Sequence, residues 1–148
     1  MKVRVIKVGR PAVREYERLV QRYETRLSST YHLENLVLKS VDHNDLLTRL
    51  DINQMSSRLV VSLDERGRSI SSPQFAQFFR KSLEDGRIKQ LDFVIGGPYG
   101  LSDAVRSASH ELWKLSDMVL PSDLAWLILW EQLYRAHGIM TGSKYHHE

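Results

Sequence analysis

The spacing of apolar residues changes period repeatedly along this chain, and the alternation predicts its architecture. Val3, Val5, Ile6 and Val8 read as a buried strand, which Gly9 to Pro11 turn into a helix. In that helix Val13, Tyr16, Leu19, Val20, Tyr23 and Leu27 recur at intervals of three and four, leaving Arg14, Glu15, Glu17, Arg18 and Arg22 to water. Leu33 to Leu38 predicts a second strand, and Asn44 to Met55 a weaker helix. Leu59 to Leu63 gives a third strand, short and apolar as in a parallel sheet covered on both faces. Asp64 to Ser72 reads as a loop. Ser72 and Pro73 supply the cap and first turn of a helix through Phe75, Phe78, Phe79 and Leu83 that stops near Gly86. Leu91 to Ile95 is a fourth strand, Leu115 to Leu120 a shorter fifth, and Pro121 with Ser122 opens a last helix running to about Gly138. The alternation specifies an α/β fold over residues 1–148, a mostly parallel sheet with helices on both faces.

The stretch from Phe93 to Ser102, FVIGGPYGLS, drives a buried strand into three glycines and a helix start. Gly96, Gly97 and Gly100 permit dihedrals and close approaches that side chains forbid. Ser102 can cap a helix through Ala104, Val105, Ala108 and Leu112. The spacing is not the dinucleotide fingerprint, and no lysine follows as in a phosphate-binding Walker loop, so a plain tight turn is as good a reading of the segment alone. In open α/β sheets ligands sit beyond the carboxyl ends of the strands. Three such ends stand out: Leu63 with Asp64, Gly96 to Gly100, and Leu115 to Leu120 before Pro121. They offer the apolar walls and bare backbone that an adenosine-type ligand needs, although core packing alone would account for Leu63 and Leu115.

The last helix carries a second signal. Leu124 to Trp130 is apolar all round, and Trp126, Trp130 and Tyr134 follow at intervals of four on one face. In a chain of 148 residues this favours self-association, most simply a homodimer, over burial in the protein's own core.

Composition narrows the chemistry. With 42% hydrophobic and 26% charged residues the chain resembles an ordinary globular domain. It has no cysteine, which removes disulfides, thiolate zinc sites and thiol nucleophiles. The N-terminal MKVRVIKVGRP is too interrupted by charge for a signal peptide, and the run from Leu124 to Trp130 is too short to span a membrane, so a cytoplasmic location is expected. A net charge of +3 permits a nucleic-acid partner without requiring one. The six histidines, His32, His43, His110, His137, His146 and His147, show no metal-ligand spacing, and no GxSxG elbow is present. No metal is expected.

Five segments together are more specific than any one of them: SLD at Ser62 to Asp64, IGGPYGLS at Ile95 to Ser102, WKLSDMVLP at Trp113 to Pro121, EQLYRA at Glu131 to Ala136, and the closing YHHE at Tyr145 to Glu148. In order and spacing they resemble the ribosomal RNA large subunit methyltransferase H family. The resemblance implies a small SPOUT-class enzyme that uses S-adenosylmethionine to methylate N3 of a pseudouridine in helix 69 of large-subunit rRNA. It further implies a C-terminal trefoil knot and a homodimer with its active sites at the subunit interface. By similarity, the cofactor would contact Leu63, Gly96, Leu115, Ser116, Asp117, Met118, Val119 and Leu120, which are the strand ends already singled out. Tyr145 and His146, in the position of the family's Tyr-His tail, would orient the target base or accept its proton, since an imide N3 must lose its proton to attack a methyl group. Arg135 and Lys144, with Arg66 and Arg68, are candidates for RNA phosphates.

The chain also departs from that family's pattern. Ser122 stands where relatives carry a His after the proline, Trp126 where they carry an Arg, Lys144 where they carry a Pro, and His147 where they carry a basic residue. The departures leave a second reading beside the active enzyme, namely a catalytically weakened homologue that binds RNA or ribosomes without turnover.

Overall fold

In a computed structural model, which describes residues 1–39, 43–50 and 56–146, five strands form one sheet. They are β1 (Lys2–Val8), β2 (His32–Leu38), β3 (Arg58–Ser69), β4 (Gln90–Ile95) and β5 (Glu111–Lys114), all parallel, in the order β2-β1-β4-β3-β5. The helices are α1 (Arg14–Ser28), α2 (His43–Leu50), α3 (Ser72–Glu84), α4 (Asp103–Ala108) and α5 (Ser122–Thr141). Because successive side chains of a strand point to opposite faces, each strand feeds two cores. Val3, Val5, Leu63, Phe93 and Trp113 are buried with Val20 and Leu27 of α1, Phe75 and Phe79 of α3, and Trp126, Leu129 and Trp130 of α5. Ile6, Val8, Val60 and Val94 are buried with Leu46 and Leu50 of α2 and Val105 of α4. Helices therefore cover both faces, as the sequence predicts. The second core also encloses charge: Arg4 donates to both carboxylate oxygens of Asp92 at 3.0 and 2.9 Å and to the Arg49 carbonyl at the end of α2 at 2.7 Å. Both oxygens of the buried Asp92 carboxylate are thereby partnered.

Several boundaries differ from expectation for identifiable reasons. The segment expected to be a loop after Asp64 continues β3 to Ser69. Beyond Leu63 the strand leaves β4 and pairs with β5 alone, with a register shift that sets both Leu63 and Arg68 opposite Trp113. A strand tongue paired on one side keeps polar residues, so the apolar period stops where the strand does not. Gly67 lies so close to β5 that a Cβ there would fall 2.5 Å from the Leu112 carbonyl carbon. The fifth strand is Glu111–Lys114, not Leu115 to Leu120, and it takes up Leu112, which was expected to end the preceding helix. Met118 and Val119, whose apolarity suggested that strand, are 80% and 82% exposed, whereas Trp113 is fully buried against Phe75, Phe78 and Phe93. The cap of α3 is Ser71 rather than Ser72. Its hydroxyl accepts from Gln74 N–H at 3.2 Å while the Gln74 side chain accepts from Ser71 N–H at 2.9 Å. Of the predicted helix from Asn44, residues 51–55 lie outside the described residues.

The apolar α5 is satisfied mostly from within. Trp126 and Trp130 are buried in the chain's own core rather than left for a partner. Leu124, Leu127, Ile128 and Tyr134 stay half-buried, and α1 and α3 flank the helix.

Candidate functional site

A cleft of about 900 Å³ opens where β3 leaves β4 and beyond the ends of β4 and β5. Its walls are Leu63, Asp64 and Arg66 from β3, Ile95 to Gly100 after β4, Lys114 to Ser116 and Met118 to Leu120 after β5, Pro121 to Asp123 and Ala125 at the start of α5, and Val13 and Tyr16 beside α1. The glycine loop is folded on itself: Gly97 and Gly100 form an isolated bridge, and a Cβ at Gly96 would lie 2.7 Å from the Gly100 carbonyl carbon. The close approach that excludes a side chain at Gly96 is thus to the chain's own backbone. Ser102 caps α4, accepting from Val105 N–H at 3.2 Å, as expected. Ser116 to Leu120 runs without helix or strand, with Met118 N–H donating to Ser116 Oγ at 2.9 Å.

Two acids edge the cleft, Asp64 with a buried side chain and Asp123 half-buried. The side chain of Asp64 is 5% exposed, accepts from Arg66 N–H at 2.9 Å, and lies 3.6 Å from the Arg66 and 3.8 Å from the Arg106 guanidinium. Asp123, in the first turn of α5, takes Ala12 N–H at 2.7 Å on one oxygen and the buried Lys7 ammonium at 2.9 Å on the other. Burial alone would raise the Asp123 carboxyl. The Ala12 hydrogen bond and the Lys7 hydrogen bond and charge outweigh it and hold the group below its ordinary value. Lys7 also donates to the Gly9 carbonyl at 3.0 Å and lies 3.5 Å from Ser122 Oγ, which donates to the Gly96 carbonyl at 2.5 Å. One buried ammonium so links the end of β1, the start of α5 and the glycine loop.

The tail residues sit elsewhere. Tyr145 packs edge-on against Tyr134 at 4.7 Å and donates its hydroxyl to Glu131 at 3.1 Å. Burial first, then a hydrogen bond with Tyr23 and the Glu131 carboxylate, pushes its phenol well above the ordinary tyrosine value, so it keeps its proton and donates it only as a hydrogen bond. Arg135 grips Glu131 through two nitrogens at 3.0 and 2.6 Å, and its third faces His146 Nδ1 at 3.1 Å. Since a guanidinium only donates, Nδ1 accepts and the imidazole proton resides on Nε2, which has no partner among the described residues. From Asp123, α5 rises by about 12 Å to Glu131 and about 18 Å to Arg135, so the tail packs on later turns of the helix, away from the cleft.

The family model described as Predicted SPOUT methyltransferase matches residues 1–146. The chain belongs to the SPOUT methyltransferase family. It is 37% identical over 155 residues to the ribosomal RNA large subunit methyltransferase H of Oleidesulfovibrio alaskensis, with 98% of each chain covered. Among solved structures it is similar in fold to a probable methyltransferase from Bordetella pertussis, at TM-score 0.61 and 14% identity over 90% of this chain and 93% of that one. It is also similar to the SpoU methyltransferase AviRb from Streptomyces viridochromogenes, solved in complex with the cofactor AdoMet, at TM-score 0.51 and 13% identity over 90% and 57%.

Within this methyltransferase chain the cleft brings together Leu63, Gly96, Leu115, Ser116, Met118, Val119 and Leu120. It does not include Asp117, whose exposed side chain pairs with Lys114 at 2.5 Å. Tyr145, His146 and Arg135 form their own cluster, and Lys144 is exposed beside it. His147 and Glu148, which carry the end of the tail motif, lie outside the described residues. Ser122 lines the cleft, while Trp126 points into the core. Sequence reading missed Lys7, because a lysine in an apolar strand pairs with Asp123 only once the sheet brings the two together. It also passed over the arginines at every fourth position from Arg10 to Arg26, a signal present in the sequence and invisible to a search for adjacent basic residues. Among the described residues no group of three or more His, Cys, Asp or Glu could hold a metal, and no helix is long and apolar enough to cross a membrane.

Proposed function

We propose that this chain, acting as one domain over its 148 residues, is an S-adenosylmethionine-dependent methyltransferase for N3 of a pseudouridine in helix 69 of large-subunit rRNA. The observation that carries the reading is that the residues expected at the cofactor, save Asp117, line a single cleft. The cleft suits that cofactor chemically. Leu63, Ile95, Leu115 and Leu120 give apolar walls for a ring, irregular backbone offers its edge hydrogen bonds, and Asp64, Ser116 and Asp123 supply polar groups for a sugar and an amino-acid end. Bound there, the sulfonium supplies an electrophilic methyl group. The protein then has to hold the imide nitrogen in line with it and exclude water.

Residues for the base come from the tail. His146, with its proton on Nε2, is suited to donate to a carbonyl oxygen that flanks N3 and so stabilise the anion left when N3 gives its proton to water, while Arg135 holds the imidazole and Tyr145 is anchored on Glu131 beside it. About 12 to 18 Å of α5 separates the residues that hold them, Glu131 and Arg135, from Asp123 at the edge of their own chain's cleft. A cytoplasmic homodimer in which each tail serves the partner's cleft answers that separation, and the exposed Met118 and Val119 with half-buried Leu127 and Ile128 are apolar surface for it to cover. The connection from β4 to β5 crosses β3, in keeping with a C-terminal trefoil knot. The weakened-homologue reading draws on Trp126, whose core position removes any cation there. Mass spectrometry of rRNA from cells lacking the gene decides between them. Loss of one methyl group from a helix 69 pseudouridine supports the enzyme, and unchanged rRNA methylation rejects it.

A further inference from the structure

Arg10, in the loop after β1, is followed by Arg14, Arg18, Arg22 and Arg26 along α1, one at every fourth residue. Each step of four advances the helix by about 40° beyond a full turn, so the row winds slowly along one ridge and covers about 18 Å from Arg14 to Arg26. That ridge faces away from the core, since Val20 and Leu27 are the buried residues of α1 and all five arginines are exposed. Among the described residues no ion pair engages Arg10, Arg14, Arg18 or Arg22. Glu15 and Glu17 lie in the same helix without pairing to them, and Glu24 is turned to Asn35 at 3.3 Å. Glu17 and Glu15 stand three residues from Arg14 and Arg18, yet the row itself stacks like charge on like at every four, which is unfavourable in isolation.

The two ends of the row decide what it is for. At its start, Val13 and Tyr16 line the cleft. At its end, the Arg26 guanidinium lies 5.5 Å over the ring of Tyr134, on which Tyr145 packs edge-on, and Arg135 lies 5.0 Å over Tyr145 itself. We infer that the α1 arginine row is a track for the phosphate backbone of the RNA substrate, running between the cleft and the tail cluster and holding the strand while a base is presented. It rests on the RNA substrate proposed for the enzyme. Arginine suits the task, being permanently charged and forked to match phosphate oxygens. The contact is independent of sequence and therefore supplies affinity and register rather than base choice.

The test compares wild-type protein, R14Q/R18Q/R22Q, R14K/R18K/R22K and, as a control for charge removed elsewhere on the surface, R80Q/R87Q. Each is titrated with a stem-loop RNA of helix 69 sequence at several salt concentrations, with S-adenosylmethionine affinity measured alongside by calorimetry. Each phosphate contact contributes about 0.7 to 0.9 to the slope of log affinity against log salt. The triple glutamine variant is expected to lose at least tenfold in RNA affinity and about two in slope with cofactor affinity unchanged. The lysine variant is expected to keep most of the slope, and the control all of it. Wild-type binding with an unchanged slope in R14Q/R18Q/R22Q, or an equal loss in R80Q/R87Q, overturns the track while leaving the methyltransferase reading intact. Wild-type protein that binds neither this RNA nor ribosomes overturns that reading and the track with it.

Discussion

The ammonium of Lys7, buried at the end of β1, lies 2.9 Å from the carboxylate of Asp123 in the first turn of α5. Removing one partner leaves the other charge buried without compensation, which costs about 3 kcal/mol or more. Asp123→Leu is expected to lower unfolding free energy by about that much. Lys7→Met with Asp123→Leu should cost less than the two single changes added. Urea unfolding of the four proteins gives the coupling directly, and strict additivity would show the pair to be energetically idle.

The same pair sets a pH dependence. Asp123 is held below its ordinary value in the folded chain, so the stability it contributes is fully present above about pH 4 and is lost as pH falls through the folded value. Wild-type protein should therefore lose stability more steeply below about pH 4 than Asp123→Asn does. Parallel curves for the two would refute the assignment.

Tyr145 carries the opposite sign. Its folded value is raised, so its contribution is complete below about pH 10 and is lost as pH rises beyond that. The difference in stability between wild type and Tyr145→Phe should be constant from neutral pH to about 10 and shrink above it. Ultraviolet titration should find one tyrosine fewer ionising late in the variant. A phenol titrating with the ordinary ones would show that Glu131 and burial do not hold it.

What the sequence could and could not reveal follows from how far each feature depends on neighbours. The helix of Val13 to Leu27 and the strands around Val5 and Phe93 show in the apolar period because each is buried along one face or both. The strand tongue Asp64 to Ser69 and the strand Glu111 to Lys114 do not, because what fixes them is pairing with each other through a register shift at Trp113. Leu115 to Leu120 reads as a strand from its apolarity, whereas the structure leaves Ser116 to Leu120 without helix or strand and sets all of the segment but Asp117 along the cleft. Its exposed Met118 and Val119 carry the reason, since apolar residues at a site need not be apolar residues in a sheet. The Lys7 and Asp123 pair has no sequence signal at all, being made only when the fold brings the end of β1 to the first turn of α5.

Gly96 and Gly67 separate loop function from fold. A Cβ at Gly67 strikes the backbone of Leu112 and Trp113 at 2.5 to 2.6 Å, so Gly67→Ala has to shift β5 and should cost about 1–3 kcal/mol of stability. At Gly96 the obstruction is Gly100 and Leu101 at 2.7 to 3.0 Å, in a loop outside the sheet. Gly96→Val should open that loop and abolish S-adenosylmethionine binding in calorimetry with the melting temperature lowered by only a few degrees. Unchanged cofactor affinity would remove Gly96 from the site.

The last prediction uses the separation of cleft and tail along α5. Deleting Lys144 to Glu148 should leave cofactor affinity and dimerisation nearly intact while methyl transfer falls, because neither the cleft nor the first half of α5 is touched. Gly96→Val should be inactive for the other reason, a blocked cleft beside an intact tail. If each tail serves the partner's cleft, a mixed dimer of the two has one complete site, made from the tail of one subunit and the cleft of the other. Random re-pairing makes half the dimers mixed with one site of two intact, so a mixture of these inactive proteins should recover about a quarter of wild-type activity. If each tail served its own cleft, no mixed dimer would hold a complete site and the mixture would stay inactive. Light scattering of the wild type at micromolar concentration supplies the premise, and a monomer there would exclude the shared site outright.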